Sequence, residues 1–370
     1  MAKVLFLFLT LYKLINNMDL DSLYYDSIDL LKKLIATPSL SRDEDVAASL
    51  LEEYMKSKGL NVSRSGNNCW AIAPGFNDKN PTILLNSHID TVKPVSGWSK
   101  DPFSPTEEDD RIYGLGSNDA GASLVSLLHT FIALSSEKQA YNLIFLASCE
   151  EEVSGKGGVE SVLPLLPSIS FGLIGEPTGM QPAIAEKGLM VLDCSVDGVS
   201  GHAARDEGEN AIYKALPVID WFKNYQFPNE SPWLGKVKMS VTMIDAGTQH
   251  NVIPDCCKFT VDVRTNECYT NHEVFEIIEK NCNCNVKARS FRLNSSSIPA
   301  VHPVVERAVL SGKEAFGSPT LSDQALMPFP TLKMGPGLSA RSHTADEFIE
   351  KFEIREAIAL YFKILNGLNL

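Results

Sequence analysis

The segment Thr82-Ile-Leu-Leu-Asn-Ser-His88-Ile-Asp90 decides how this chain is read. Thr82-Ile-Leu-Leu-Asn86 reads as a short strand around the apolar run Ile83-Leu84-Leu85, and a histidine and an aspartate stand where that strand ends. Open α/β sheets place their sites at the carboxyl ends of strands. Working outward, Leu143-Ile-Phe-Leu-Ala147 and Phe171-Gly-Leu-Ile174 read as buried strands, and Trp70-Ala-Ile-Ala73 as a short one. Helices alternate with them. Residues 22–35 carry Leu23, Ile28, Leu30, Leu31 and Leu34 at helical spacing, and Thr37-Pro38 stops that helix. Ser41-Arg-Asp-Glu44 reads as a capping box opening a helix that Gly59 ends, and residues 121–134 form an apolar helix.

After Thr178 the pattern changes. Residues 189–196 and 236–243 read as strands of a half-exposed sheet, and Phe259, Val261 and Val263 alternate with polar neighbours. Helices fill the gaps at 210–222 and 272–280. From about Arg292 the first pattern resumes and closes with a helix near 354–365. The expected architecture is therefore α/β: a central mixed sheet with helices on both faces, built from residues 18–178 and 292–370. An α+β insert, residues 179–291, interrupts it.

Composition narrows the function. With 44% hydrophobic and 21% charged residues the 370-residue chain is an ordinary globular protein. A formal charge of −13 argues against nucleic acid, which needs basic patches. No stretch approaches the roughly 20 apolar residues of a membrane helix. The eight cysteines do not form paired CxxC motifs, so they read as reduced thiols of a cytoplasmic protein. The opening Met1-Ala-Lys-Val-Leu-Phe-Leu-Phe-Leu resembles a short signal core, but no small-x-small cleavage site follows. Residues 1–17 are expected to be a disordered extension or a mis-assigned start, upstream of Met18.

Candidate ligands gather at strand ends. Alternation puts His88 and Asp90 on one side, so Asp90 is expected to accept the other imidazole N–H. Asp119 stands between Gly116 and Gly121 just before a helix, where either it or Asn118 would also serve as an N-cap. Glu150-Glu-Glu152 leaves a core strand as three mutually repelling carboxylates, which calls for a cation unless the turn is solvated. Gly175-Glu176-Pro-Thr178 repeats the strand-then-carboxylate order. His343 follows the Gly335-Pro-Gly337 loop. Two histidines and three or four carboxylates suit two zinc ions sharing one bridging carboxylate. A further carboxylate, off the metals, would take a proton from water.

Five motifs in order make the chain recognisable: Ser87-His-Ile-Asp90-Thr-Val, Gly114-Leu-Gly-Ser-Asn-Asp119-Ala-Gly121, Glu150-Glu-Glu-Val153, Gly175-Glu-Pro-Thr178 and Ser342-His-Thr-Ala-Asp-Glu347. The sequence resembles the zinc-dependent deacylase and carboxypeptidase family that includes acetylornithine deacetylase and succinyl-diaminopimelate desuccinylase. The resemblance implies that His88 and Glu176 hold one metal, that Glu152 and His343 hold the other, and that Asp119 bridges them. It implies Glu151 as general base and Asp90 as its orienting neighbour. The family usually has Asp-Glu-Glu at 150–152, and counting back from Val153 assigns Glu151 and Glu152 their roles. Zinc is the expected metal, with cobalt or manganese as substitutes.

The insert resembles the family's dimerisation domain, so a homodimer is expected. Val199-Ser-Gly-His202-Ala-Ala matches the motif whose histidine reaches the partner subunit's site and stabilises the oxyanion. The segments holding Asn251 and Arg264 resemble ones that line the substrate in the family, and Arg264 is a candidate clamp for a substrate carboxylate. Lys187 is given no role. His129, His250, His272 and His302 are expected to be structural or exposed. The implied reaction removes an acyl group from an N-acyl amino acid. N-acetyl-ornithine or N-succinyl-ornithine, yielding ornithine for arginine biosynthesis, is the leading expectation. Alternatives are succinyl-diaminopimelate and di- or tripeptides. Outside enzymology, an inactive zinc-binding dimer or a zinc-dependent binding protein for amino-acid derivatives would share these residues.

Overall fold

Residues 19–205 and 207–370 are described in a computed structural model of the chain. The expectation for residues 1–17 lies outside the described residues. Along the chain, the main elements open with α1 (Leu20–Ile35), α2 (Asp45–Ser57), β1 (Val62–Ser65), β2 (Asn68–Ile72) and β3 (Thr82–His88). Next come α3 (Ala122–Ser135), β4 (Asn142–Ser148), β5 (Phe171–Ile174) and β6 (Ala183–Glu186). Then follow β7 (Gly188–Asp197), α4 (Ala211–Asn224), β8 (Lys238–Ala246), β9 (Cys256–Thr265), α5 (Asn271–Asn281) and β10 (Asn285–Ala288). The chain closes with α6 (Pro303–Leu310), β11 (Thr331–Lys333) and α7 (Lys351–Leu365). Contacts divide it into two units. The first holds residues 19–184, Ile298–Phe316 and Ser322–Leu370; the second holds Ala185–Ser297 and Gly317–Leu321.

In the first unit the strand order is β1-β2-β4-β3-β5-β11-β6. β3 pairs parallel with β4 and β5, and β11 parallel with β5, while β1, β2 and β6 pair antiparallel with their neighbours. This is the mixed α/β sheet expected. Every residue of β3 and of β4 is buried, because both faces of these strands are covered. Ile83, Leu85, Phe145 and Phe171 join Leu30, Leu31, Phe131 and Tyr361 of the long helices in one core. Leu84, Ile144, Leu146 and Ile174 point the other way, towards Val159 and Val162 of a short helix.

The helix α3 is buried nearly all round, which exposes its polar residues to desolvation. Ser126 and Thr130 resolve this by donating to the carbonyls of Ala122 and Ser126 one turn earlier. His129 places Nδ1 2.8 Å from the Val125 carbonyl and Nε2 2.6 Å from the Tyr54 hydroxyl. Burial pushes its pKa down to about 4. His302 accepts the Val304 N–H at the start of α6, His272 stacks on Phe291, and His250 is exposed. No helix among the described residues is long and apolar enough to cross a membrane.

The expected capping box is a correction. Glu44 occupies the N-cap position of α2 without a side-chain cap bond. The Ser41 hydroxyl donates instead to Asp90 Oδ2 at 2.7 Å. The buried Glu44 carboxylate accepts the N–H groups of Arg42 and Glu150 and the Asn67 side-chain amide. Long-range partners thus took both side chains away from the helix end. A further sheet of three-residue strands joins Thr106–Glu108, Arg111–Tyr113 and Phe348–Glu350. Strands that short carry no readable periodicity.

The second unit is an antiparallel sheet in the order β8-β9-β7-β10, accompanied by α4 and α5. β7 and β9 alternate buried and more exposed residues along their length. Their inward residues, including Met190, Leu192, Phe259, Val261 and Val263, pack with Ala215, Phe222, Val274 and Ile278 of the helices. Asn210 caps α4, and Thr270 with Glu273 forms a capping box on α5.

Candidate active site

Five sequence segments of the first unit bring their acidic or imidazole groups together. His88, the last residue of β3, is buried, with Nε2 3.3 Å from Asp119 Oδ1, 3.7 Å from Glu176 Oε1 and 3.9 Å from Glu151 Oε2. His343 Nε2 lies 3.0 Å from Glu152 Oε2 and 3.8 Å from Asp119 Oδ2. Asp119 therefore turns one oxygen to each imidazole. Ligand atoms of His88, Glu151 and Glu176, and of His88, Asp119 and Glu152, all lie within 4.8 Å of one another. Imidazole nitrogen and carboxylate oxygen are the donors that zinc and similar divalent ions accept.

The two ends of the site differ in access. The His88 side chain is 1% exposed, and that of His343 is 52% exposed. His88 forms the floor and His343 the rim. The rim backbone is held in unfavourable conformations: His343 has φ 57° and Glu150 φ 55°. The left-handed turn at Glu150 directs its carboxylate to the Gly157 N–H, with Arg42 3.9 Å away. Glu151 and Glu152 are then the two of the triplet that face the imidazoles.

Electrostatics follow from crowding. Burial opposes charge on His88, but hydrogen bonds to Asp119 and Asp90 and the charges of Glu151 and Glu176 override it, so its pKa stands well above the ordinary imidazole value. Burial pushes Glu151 well above the carboxylate range; His88 opposes this, and Glu176, Asp323 and Glu152 add to it. Burial also acts on Asp119, yet His88 and His343 hold it below its usual value. His343 is raised to about 9, first by its hydrogen bond to Glu152.

Asp90 was expected to accept the second imidazole N–H. The backbone carbonyl of Asp90 takes that place, 2.9 Å from His88 Nδ1, while the carboxylate Oδ1 lies 3.5 Å away. The carboxylate instead accepts the backbone N–H groups of Glu151 and Glu152, at 2.9 and 3.1 Å. With Glu44 on the N–H of Glu150, three consecutive amides of the acidic turn end on buried carboxylates.

Asn118 is no helix cap. Its side chain donates to the Leu338 carbonyl and the Ser342 hydroxyl and accepts the Leu338 N–H. The buried Glu347 carboxylate accepts the N–H groups of Gly116, Asn118 and Asp119. Burial raises Glu347 to about 7 against the pull of those three bonds. Sequence reasoning gave no role at the site to Glu347 or the buried Asp323, whose Oδ2 accepts the Ser148 hydroxyl at 2.6 Å, and read Glu44 only as part of a capping box. The only sequence signal for Glu347 was its place in the motif that holds His343.

The remaining candidates belong to the second unit. His202 is exposed on a two-stranded ribbon in which Gly201 and His202 pair with Ile253 and Val252. The Asn251 carbonyl accepts the Ala203 N–H, so His202 and Asn251 share this ribbon. Arg264 holds Asp262 through two bonds of 2.8 and 3.1 Å.

Residues 84–367 match the model of peptidase family M20/M25/M40. Acetylornithine deacetylase of Proteus mirabilis is 27% identical over 360 residues, covering 87% of this chain and 92% of that protein. A putative succinyl-diaminopimelate desuccinylase of Mycobacterium tuberculosis is 28% identical over 357 residues, covering 92% and 98%. Among solved structures, the YXEP protein of Bacillus subtilis, described as a dinuclear metal-binding peptidase of the M20 family, aligns with a TM-score of 0.71. That match has 18% identity and covers 94% of this chain and all of that one. The family model spans most of the chain and all five motifs fall within it, so the protein belongs to peptidase family M20/M25/M40 and is a hydrolase of that family.

Proposed function

We propose that the protein is a two-zinc amidohydrolase that removes the acyl group from an N-acyl amino acid, with N-acetyl-ornithine or N-succinyl-ornithine as substrate. The observation that carries this reading is Asp119, with one carboxylate oxygen turned to His88 and the other to His343, beside the Glu151 carboxylate 3.9 Å from His88. His88 and Glu176 would hold one ion, Glu152 and His343 the other, and Asp119 would bridge. Bound zinc would polarise the acyl carbonyl and acidify water.

The chain's own residues manage the protons. Glu151 accepts one from the attacking water and returns it to the amide nitrogen as the C–N bond breaks, releasing a carboxylic acid and an amine. Its buried, acid-flanked position favours holding that proton between the two steps. Asp90 fixes the turn that aims Glu151 by binding its backbone N–H. In a homodimer formed through the second unit, His202 would donate a hydrogen bond to the oxyanion of the partner's substrate. Arg264 would hold a substrate carboxylate, sharing its guanidinium with Asp262.

The named relatives, a deacetylase and a putative desuccinylase, support a linear N-acyl amino acid as substrate class. Succinyl-diaminopimelate is the second reading, favoured by the latter relative. A zinc-supplemented assay of N-acetyl-ornithine, N-succinyl-ornithine, N-succinyl-diaminopimelate and simple dipeptides decides. Turnover of either ornithine derivative at the highest kcat/KM is expected, and turnover confined to dipeptides overturns the deacylase reading. Zinc analysis and sedimentation of the active fraction test the two ions and the dimer.

A further inference from the structure

Buried carboxylates grip two of the loops that carry acidic metal candidates: Asp90 accepts the N–H groups of Glu151 and Glu152, and a second carboxylate holds the loop of Asp119. For the Asp119 loop that carboxylate is Glu347. It accepts three backbone N–H groups, from Gly116 at 3.1 Å, Asn118 at 2.9 Å and Asp119 at 3.0 Å. The Gly114 N–H donates to its backbone carbonyl as well. Glu347 also lies four residues after His343, so one segment supplies a rim imidazole and the grip on the bridging residue. Asn118 closes the same junction from the other side through Leu338 and Ser342.

We propose that Glu347 is the positioning residue of the bridging carboxylate, and that its clamp sets Asp119 midway between His88 and His343 before any metal arrives. The proposal rests on the two-metal reading above. A carboxylate fits this task because it only accepts hydrogen bonds, and three N–H groups converge on it. Glutamine in its place would turn an NH2 group, a donor, against one or more of those N–H groups. The loop would then tilt, and Asp119 would lose its even reach to both imidazoles.

Calorimetric zinc titration of the metal-stripped, full-length protein tests this with Glu347→Gln and Glu347→Asp, the second keeping the charge but shortening the reach. The wild type is expected to bind two zinc ions. In both variants one binding event should weaken by about 10–100-fold, the range seen when a ligand's supporting partner is removed. Excess zinc should then restore kcat with little change in KM. A role confined to fold stability would lower Tm and leave both zinc affinities intact. That result, or unchanged binding in both variants, overturns the proposal. If the wild type itself binds fewer than two ions, the two-metal reading fails and the proposal with it. Should neither variant fold, hydrogen exchange on the wild type decides. Amides of residues 116–119 should be protected without zinc, and exchange at the free-chain rate until zinc is added refutes the clamp.

Discussion

Replacing Glu151 with glutamine removes the proton acceptor and leaves its surroundings in place. The backbone N–H of residue 151 keeps its 2.9 Å bond to Asp90, and Asp119, Glu152, Glu176, His88 and His343 are untouched. An amide has the same shape but cannot hold the proton from water. Loss of a general base costs about 10²–10⁴ in rate, which is about 3–5 kcal/mol in the barrier at 1.36 kcal/mol per tenfold. The cost should fall on kcat, because the residues that would hold metal remain. Steady-state kinetics on the best substrate of the panel, with zinc content measured on the same sample, is the assay. The pH profile adds a second reading. Glu151 works deprotonated, so wild-type kcat/KM should fall towards acid pH as it takes up a proton, and that acid limb should be missing from the variant's residual activity. Two bound zinc ions together with kcat within about threefold of wild type would refute Glu151 as the base.

Dialysis against a chelator should abolish turnover, and zinc, cobalt or manganese should restore it; full activity in protein shown by elemental analysis to be metal-free contradicts the proposed chemistry. His129 stays neutral in the fold down to about 4, whereas the unfolded chain takes up that proton near 6.5. Between those values the unfolded state binds more protons, so stability falls with falling pH, by about 3 kcal/mol for this group across the window. Thermal melts at pH 7 and 4.5 should show a larger drop for wild type than for His129→Gln, and equal drops exclude the effect. Gly116 has φ 76°, and a Cβ there would stand 2.6 Å from Thr91 Cγ2. Gly116→Ala should cost about 1–3 kcal/mol, read as a lower denaturant midpoint, and an unchanged midpoint refutes the strain.

Much of the sheet was legible because its strands are long apolar runs. β5 lies where Phe171-Gly-Leu-Ile174 placed it, and β3 and β4 extend the expected runs by one to a few residues. The residues around Asp119 were legible for a different reason, since five short motifs in order carry far more information than any one. What escaped the sequence is the grip on those residues. Ser41 and Glu44 have the spacing of a capping box, yet their partners, Asp90 and Glu150, lie far along the chain. Asp90 sits two residues from His88, and its carboxylate still turns to the 151–152 turn. A carboxylate's choice among donors is set by tertiary approach, and local spacing does not encode that. The three-residue strands near residues 106–113 and 348–350 are invisible for lack of length.

The position of β11 bears on how the protein is made. Thr331–Lys333 lies in the sheet between β5 and β6, both of which precede it by well over a hundred residues. On the ribosome, the first unit therefore waits with an open slot until residues 331–333 have been made, while the residues of β7 to β10 have already emerged. Such late, distant pairing makes for slow folding and leaves strand edges exposed to aggregation in the interval. Truncation shortly before residue 331 would strand the nascent chain in that state, so C-terminal fragments lost in expression would be felt first as insolubility.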